Sequence, residues 1–446
     1  MGPKEQTTAG SSRRDFLKFG SLVTAGLPAL ASCDTGKQAT ASPPSGNDGE
    51  FWNSMRSRFA LDPAVTYLNT GTEGAMSHDV LQALNEYLLQ FATSPMEAAF
   101  YSEDLGYVQQ SNRERAATFV KAEPGEVVFT ANTTQGMNMV VHGLKLEAGD
   151  EVVTTFHEHF AEVSPLFVIR DRYGVVVKQL VLPSPAPSKE AIVELFRDAI
   201  TPKTKVFVFC HVNYTTGLRM PVKELCDLAR EHDIITVVDG AHSLGMIDVG
   251  LDQLGCDFYP CACHKWLNGP PGTGLLYVRD GEQNPHRLWP MLTEAYVFPV
   301  PLTIMLQVKG QENTPAFKAV GDAMNFHDEI GMAKLEARIL ELNRYLKTRI
   351  VETWGEASLL TPLSDELSSG MASFIPFSNH ADRYDEPKFL ALVQTLRETQ
   401  RIYIRTVNFK DREADEQNTN VLRVSTHLFN SFDDVDKLID ALHGIR

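Results

Sequence analysis

Between residues 234 and 280 the chain concentrates groups that could do chemistry. An apolar run at 234–238 stops at Asp239, Gly240, Ala241 and His242. A second run stops at Cys263 and is followed by His264 and Lys265. A lysine amine can add to a carbonyl, a carboxylate can hold a cation, and imidazoles exchange protons near neutral pH. Upstream, the apolar run 127–130 meets Ala131-Asn132-Thr133-Thr134-Gln135-Gly136 before a helical pattern at 137–144. Strand, small polar turn and helix N-terminus make an anion site, because unpaired backbone N–H groups point outward and the helix dipole favours negative charge. Thr133 and Thr134 add hydroxyl donors, although a plain threonine N-cap would explain one of them equally well.

The elements that must position these groups alternate between strand and helix. Strands are expected at 65–69, 127–130, 149–155 and 206–210, with helices at 78–92, 106–121 and 221–232. Through residues 127–280 this alternation predicts a doubly wound α/β domain with a largely parallel sheet, whose ligands sit at strand ends. Residues 281–325 read as loop-rich, and one long helix is expected at 326–354. Shorter elements follow at 372–377, 387–398, 403–407, 422–425 and 435–442, predicting a smaller α+β domain. The expected domains are therefore 51–326 and 327–446.

With 446 residues, 43% hydrophobic and 22% charged, the composition is that of a globular protein able to bury a large core. The net charge of −16, without a basic run beyond the N-terminus, argues against nucleic acid as a partner. Six cysteines are too sparse for a disulfide-built domain. His157-Glu158-His159 lacks the spacing of a helical His pair and has no further ligand cluster, so no metal is expected there.

Residues 1–50 read as address and tether. Ser12-Arg13-Arg14-Asp15-Phe16-Leu17-Lys18 resembles a twin-arginine export motif, and a weakly apolar stretch follows it. Leu30-Ala31-Ser32-Cys33 resembles a lipobox, so residues 1–33 form the expected signal and Cys33 the expected lipid anchor. Residues 34–50 form a flexible Ser/Thr/Pro/Gly-rich linker. Export by the twin-arginine translocase carries folded protein to the periplasm and suits a chain that loads its cofactor first.

A strand-end Asp, a strand-end Lys, an anion-binding threonine turn and a nearby aromatic ring are what pyridoxal phosphate (PLP) requires. With Asp239-Gly240-Ala241-His242-Ser243, the stretch 263–274 (CHKWLNGPPGTG) and the stretch 423–430 (RVSTHLFN), the chain resembles the class V, fold-type I PLP-dependent aminotransferase family, in its isopenicillin N epimerase-like branch. That resemblance implies a seven-stranded-type, mostly parallel sheet in the large domain and a homodimer with shared sites. It implies Lys265 as the Schiff-base lysine and Asp239 as partner of the pyridine nitrogen. By the same resemblance His242 faces the ring hydroxyl, Thr133, Thr134 and His264 face the phosphate, and Phe160 falls where the family stacks a ring, with His159 one register away as the alternative. Thr314 would reach the phosphate of a neighbouring subunit, Arg423 would grip a substrate carboxylate, and Asn213 or Tyr214 would contact ring or substrate. Ala262 departs from the family, which often has a phosphate donor there. Cys261 and Cys263 beside it read as small apolar fillers.

No cysteine follows the strand 404–409, where the family's desulfurases carry their nucleophile, so persulfide chemistry is not expected. What remains is chemistry in which Lys265 moves a Cα proton: transamination, epimerisation, or β-elimination as in a C–S lyase. The alternative of another class is a membrane-tethered, non-catalytic binding protein. Exported enzymes of this type imply an amino-acid or peptide-siderophore substrate, such as the glutamyl side group of a pyoverdine.

Overall fold

The run 206–210 (VFVFC) is apolar at every position, so its strand must be covered on both faces. The computed structural model describes residues 48–95, 110–281, 288–411 and 416–444, and in it that strand is buried along this whole run. The readings of an export signal and of a lipidated Cys33 fall outside the described residues. The described elements all belong to the unit Asn47–Arg446. Its strands are β1 (Thr66–Tyr67), β2 (Val127–Thr130), β3 (Glu151–Thr155), β4 (Val176–Leu180), β5 (Thr204–Cys210), β6 (Ile235–Asp239), β7 (Phe258–Ala262), β8 (Gly274–Val278), β9 (Met371–Phe374), β10 (Ile402–Tyr403), β11 (Arg405–Phe409) and β12 (Thr419–Ser425).

The main sheet has seven strands in the order β2-β8-β7-β6-β5-β3-β4. From β7 to β4 every neighbouring pair is parallel. Strand β8 is antiparallel to both β7 and β2, so β2 regains the direction of the parallel set. The C-terminal ends of β2, β3, β5, β6 and β7 therefore share one edge, where such sheets bind ligands. Helix Lys189–Asp198 covers one face through Phe196, whose ring meets Phe207 and Phe209 edge-on at 5.2 and 5.6 Å. Each such fully buried ring contributes roughly 1.5–3 kcal/mol.

A second, antiparallel sheet has the order β11-β12-β9, and β1 pairs in parallel with β10. Leu68, just after β1, joins the apolar cluster of Leu346, Phe374 and Val424 beneath this sheet. Ser425 donates its backbone N–H to the Leu68 carbonyl at 2.8 Å, which holds the turn 69–74 against the end of β12.

Two expectations change. The single helix at 326–354 is two helices, Thr314–Ile330 and Met332–Trp354, separated by Gly331 at φ 88°, a left-handed conformation that favours glycine. The stretch read as loop contains the helix Leu302–Gln307 and the start of the helix at Thr314. Asn313 caps that start by accepting from the Ala316 N–H, with Pro315 in the first turn. Among the described residues no helix is long and apolar enough to cross a membrane.

Candidate active site

The shared strand edge opens into a cavity of about 270 Å³. Asp239 ends β6, and His242 follows in a tight turn. Lys265 follows β7, and Cys210 ends β5. Asn132, Thr133 and Thr134 follow β2, and His159 follows β3. From the other sheet come Arg405 and Arg423, and from the turn after β1 come Gly71 and Thr72. All of these line the one cavity. Gly74 locks the arrangement: its N–H donates to the His264 carbonyl at 2.8 Å, and a Cβ there would lie 1.9 Å from the Lys265 carbonyl oxygen. Only glycine permits the turn to lie on the lysine's own backbone.

Burial sets the charges. Desolvation pushes the Lys265 amine down to about 8, and Arg423 and Arg405 push it the same way against the pull of Asp239. Desolvation also raises Asp239 to about 6, opposed by the Ala241 N–H at 2.7 Å and by Lys265. A buried carboxylate facing a lysine of lowered affinity for its proton is a functional-site signature.

His242 is held neutral by burial and by the nearby cation Lys265. Its Nδ1 accepts from the indole N–H of Trp266 at 3.3 Å. An indole nitrogen only donates, so the ring proton must sit on Nε2, which lies 3.5 Å from the Lys265 Nζ. Trp266→Phe is therefore expected to convert a single Nε2–H tautomer into a mixture, read from imidazole ¹⁵N shifts. An unchanged single tautomer in the variant would show that Trp266 does not set it.

The anion end fits the phosphate of PLP. The helix beginning at Thr133 starts earlier than its apolar pattern suggests, capped by Asn132 through the Gln135 N–H. Thr133 and Thr134 thus occupy its first turn, and the Thr133 hydroxyl is buried without a partner. His264 engages the Thr273 carbonyl through Nδ1 at 3.2 Å, leaving Nε2 for a ligand.

Of the two residues expected at the cofactor ring, Phe160 is the first residue of a helix, 59% exposed and outside the cavity wall. His159 is in the wall instead. It caps the same helix by accepting the Ala161 N–H, and burial holds its imidazole uncharged, down to about 4. Of the pair left open, Tyr214 lines the cavity, whereas Asn213 is buried beside it with its amide on the Cys210 sulfur at 2.8 Å. Thr314 begins its helix outside this cavity, buried and with its hydroxyl unpartnered. Cys261 and Cys263 are buried free thiols, both raised by desolvation, Cys261 to about 12.

Arg405 and Thr72 were not singled out from the sequence. Arg405 lies directly opposite Arg423 in the β11–β12 ladder, so both side chains leave the same face. The Arg423 Nη2 donates to the Thr72 hydroxyl at 2.9 Å and its Nη1 to the Tyr214 carbonyl at 3.0 Å.

The chain is similar to known proteins over most of its length. The family model "Aminotransferase class-V" matches residues 66–438. Isopenicillin N epimerase of Streptomyces clavuligerus is 29% identical over 408 residues, 88% of this chain and 98% of that protein. A cysteine desulfurase of Haloferax volcanii is 28% identical over 399 residues, 86% of this chain and 89% of that protein. Among solved structures, a C-DES mutant with glycine covalently linked to its PLP cofactor superposes with a TM-score of 0.73 at 22% identity, covering 87% of this chain and 98% of that one. The strand-end lysine and carboxylate, the threonine helix start and a match spanning most of the chain lead to one conclusion: this chain belongs to the class V aminotransferase family of PLP-dependent enzymes.

Proposed function

We propose that this PLP enzyme acts at Cα of an amino acid bearing a free carboxylate, as an aminotransferase or epimerase. The observation that carries the reading is the Lys265 amine, held down to about 8, in one cavity with the guanidinium of Arg423. When bound, PLP supplies an electron sink for charge developing at Cα. Thr133, Thr134 and His264 would hold its phosphate, Asp239 its ring nitrogen, His242 its ring hydroxyl and His159 its ring face. Lys265 would carry the cofactor and then, as a free amine, take and return the Cα proton. Arg423 would orient Cα by its carboxylate. A thiolate route finds no support: Cys210 is the cysteine of the cavity wall, and burial followed by Glu158 holds its thiol well above the usual range.

The working enzyme in this reading is a homodimer in which Thr314 completes the partner's site. It is exported through the twin-arginine route, anchored through Cys33, and modifies a periplasmic substrate such as the glutamyl side group of a pyoverdine-type siderophore. The export-like residues 12–18 and the carboxylate-binding arginine support this assignment. Incubation of holoenzyme with the precursor siderophore, followed by mass spectrometry and chiral analysis of the glutamyl group, tests it. A changed mass or inverted configuration is expected; an unaltered glutamyl group would reject the siderophore as substrate.

A further inference from the structure

We propose that Arg405 is a second carboxylate ligand of this cavity, and that Arg405 and Arg423 receive one substrate carboxylate between them beside Thr72. This rests on the reading of the site as one for amino acids and defines what their carboxyl group must be.

The register places the two arginines opposite each other on neighbouring strands, facing the same way. Both reach the same atom: the Thr72 Oγ1 lies 2.9 Å from Arg423 Nη2 and 3.5 Å from Arg405 Nη1. Thr72 gives its own proton to Asn69 Oδ1 at 2.8 Å, so its lone pairs are what the two cations share. This hydroxyl and the Tyr214 carbonyl that Arg423 also reaches are neutral, and neither balances the charge of two guanidiniums. Among the described residues neither arginine forms an ion pair. The Arg423 Nε is buried with no partner, although the side chain is only 1% exposed. Burial, and next the charge of Arg405, lower Arg423 to about 9, so an anion between the two would favour both cations.

Convergence on one atom decides between one anion and two. Donors that meet at a single hydroxyl suit the two oxygens of one carboxylate; carboxylates at opposite ends of a substrate would need them splayed apart. The substrate class follows. The reacting amino acid keeps a free, ionised carboxylate and joins any larger body through its side chain. α-Amides, α-esters and simple amines are excluded.

The test uses holoenzyme and 2-methylalanine, an amino acid with no Cα proton to lose, against its amide, with binding read from visible absorption. Wild-type is expected to prefer the acid, with affinity falling as salt rises. Arg405→Gln and Arg423→Gln are each expected to weaken acid binding by roughly 10- to 100-fold and leave amide binding nearly unchanged. Arg405→Lys should restore part of the loss, which also separates ligand binding from a folding defect. Because one carboxylate is shared, the double variant should lose less than the product of the single losses. An Arg405→Gln enzyme with full preference for the acid, while Arg423→Gln loses it, overturns the proposal and leaves the amino-acid reading intact. A loss in Arg405→Gln confined to L-glutamate over L-glutamine would assign it to a second carboxylate and overturn the shared site. Wild-type with no preference for acid over amide would overturn the amino-acid reading itself.

Discussion

Replacing Lys265 with methionine is expected to abolish turnover and at the same time stabilise the cofactor-free protein. The rate should fall on the order of 10⁴-fold or more, since in the proposed role Lys265 is both the cofactor's covalent attachment point and the base. The stability gain comes from burial. An unfolded lysine titrates near 10.5, and the folded Lys265 near about 8. At pH 7 both states hold the proton, and the fold bears a buried cation at a cost of about 3 kcal/mol. Between pH 8 and 10.5 the unfolded chain keeps its proton while the folded one releases it, so stability rises with pH across that window and the cost disappears. Methionine has no proton to lose, so the variant should rise less across this window; the share from Lys347, also lowered to about 8 by burial, is common to both proteins. Urea unfolding of the cofactor-free proteins at pH 7 and pH 10.5 checks this. The variant should be more stable at pH 7 and the gap should close at pH 10.5; a variant less stable than wild-type at pH 7 would count against a desolvated Lys265. Stability given up at a reactive group is a recurrent trade in enzymes.

The second large effect is at Asp239. Asparagine preserves its shape and the bond from the Ala241 N–H, and removes only the charge. In the proposed role Asp239 would be the counterion of the PLP ring nitrogen, and without its charge the site would support developing charge less well. kcat/KM is expected to fall on the order of 10²–10³-fold. Burial already raises Asp239 to about 6, so a neutral side chain suits the site and the loss should occur without unfolding. Steady-state kinetics with thermal unfolding of the same preparation decides it. A fully active Asp239→Asn enzyme would remove the carboxylate from the mechanism.

What was legible from the chain and what was not divides by distance along it. Lys265, Asp239 and Thr133 end or follow apolar runs, and a parallel sheet brings such ends to one edge whatever the loops do. That is why the sheet and the anion turn could be read locally. Arg405 could not be, because its place depends on which residue of β12 it faces, and nothing in the 17 intervening positions dictates that register. The choice between Phe160 and His159, left open by the sequence, turned on one residue at a helix start. Glu162, three residues after the capping His159, was the available sign that the helix begins at Phe160 and turns that ring outward. The break at Gly331 was visible as a glycine within a helical pattern, but the pattern continues on both sides, so periodicity alone joined the two helices.

The central claim is that Lys265 carries PLP. Borohydride reduction of the PLP-loaded protein, followed by proteolysis and mass spectrometry of every lysine peptide, tests it most directly. A pyridoxyl group is predicted on Lys265. A label instead on Lys309, a second buried lysine whose affinity for its proton is lowered, or no label on any lysine, would contradict the account.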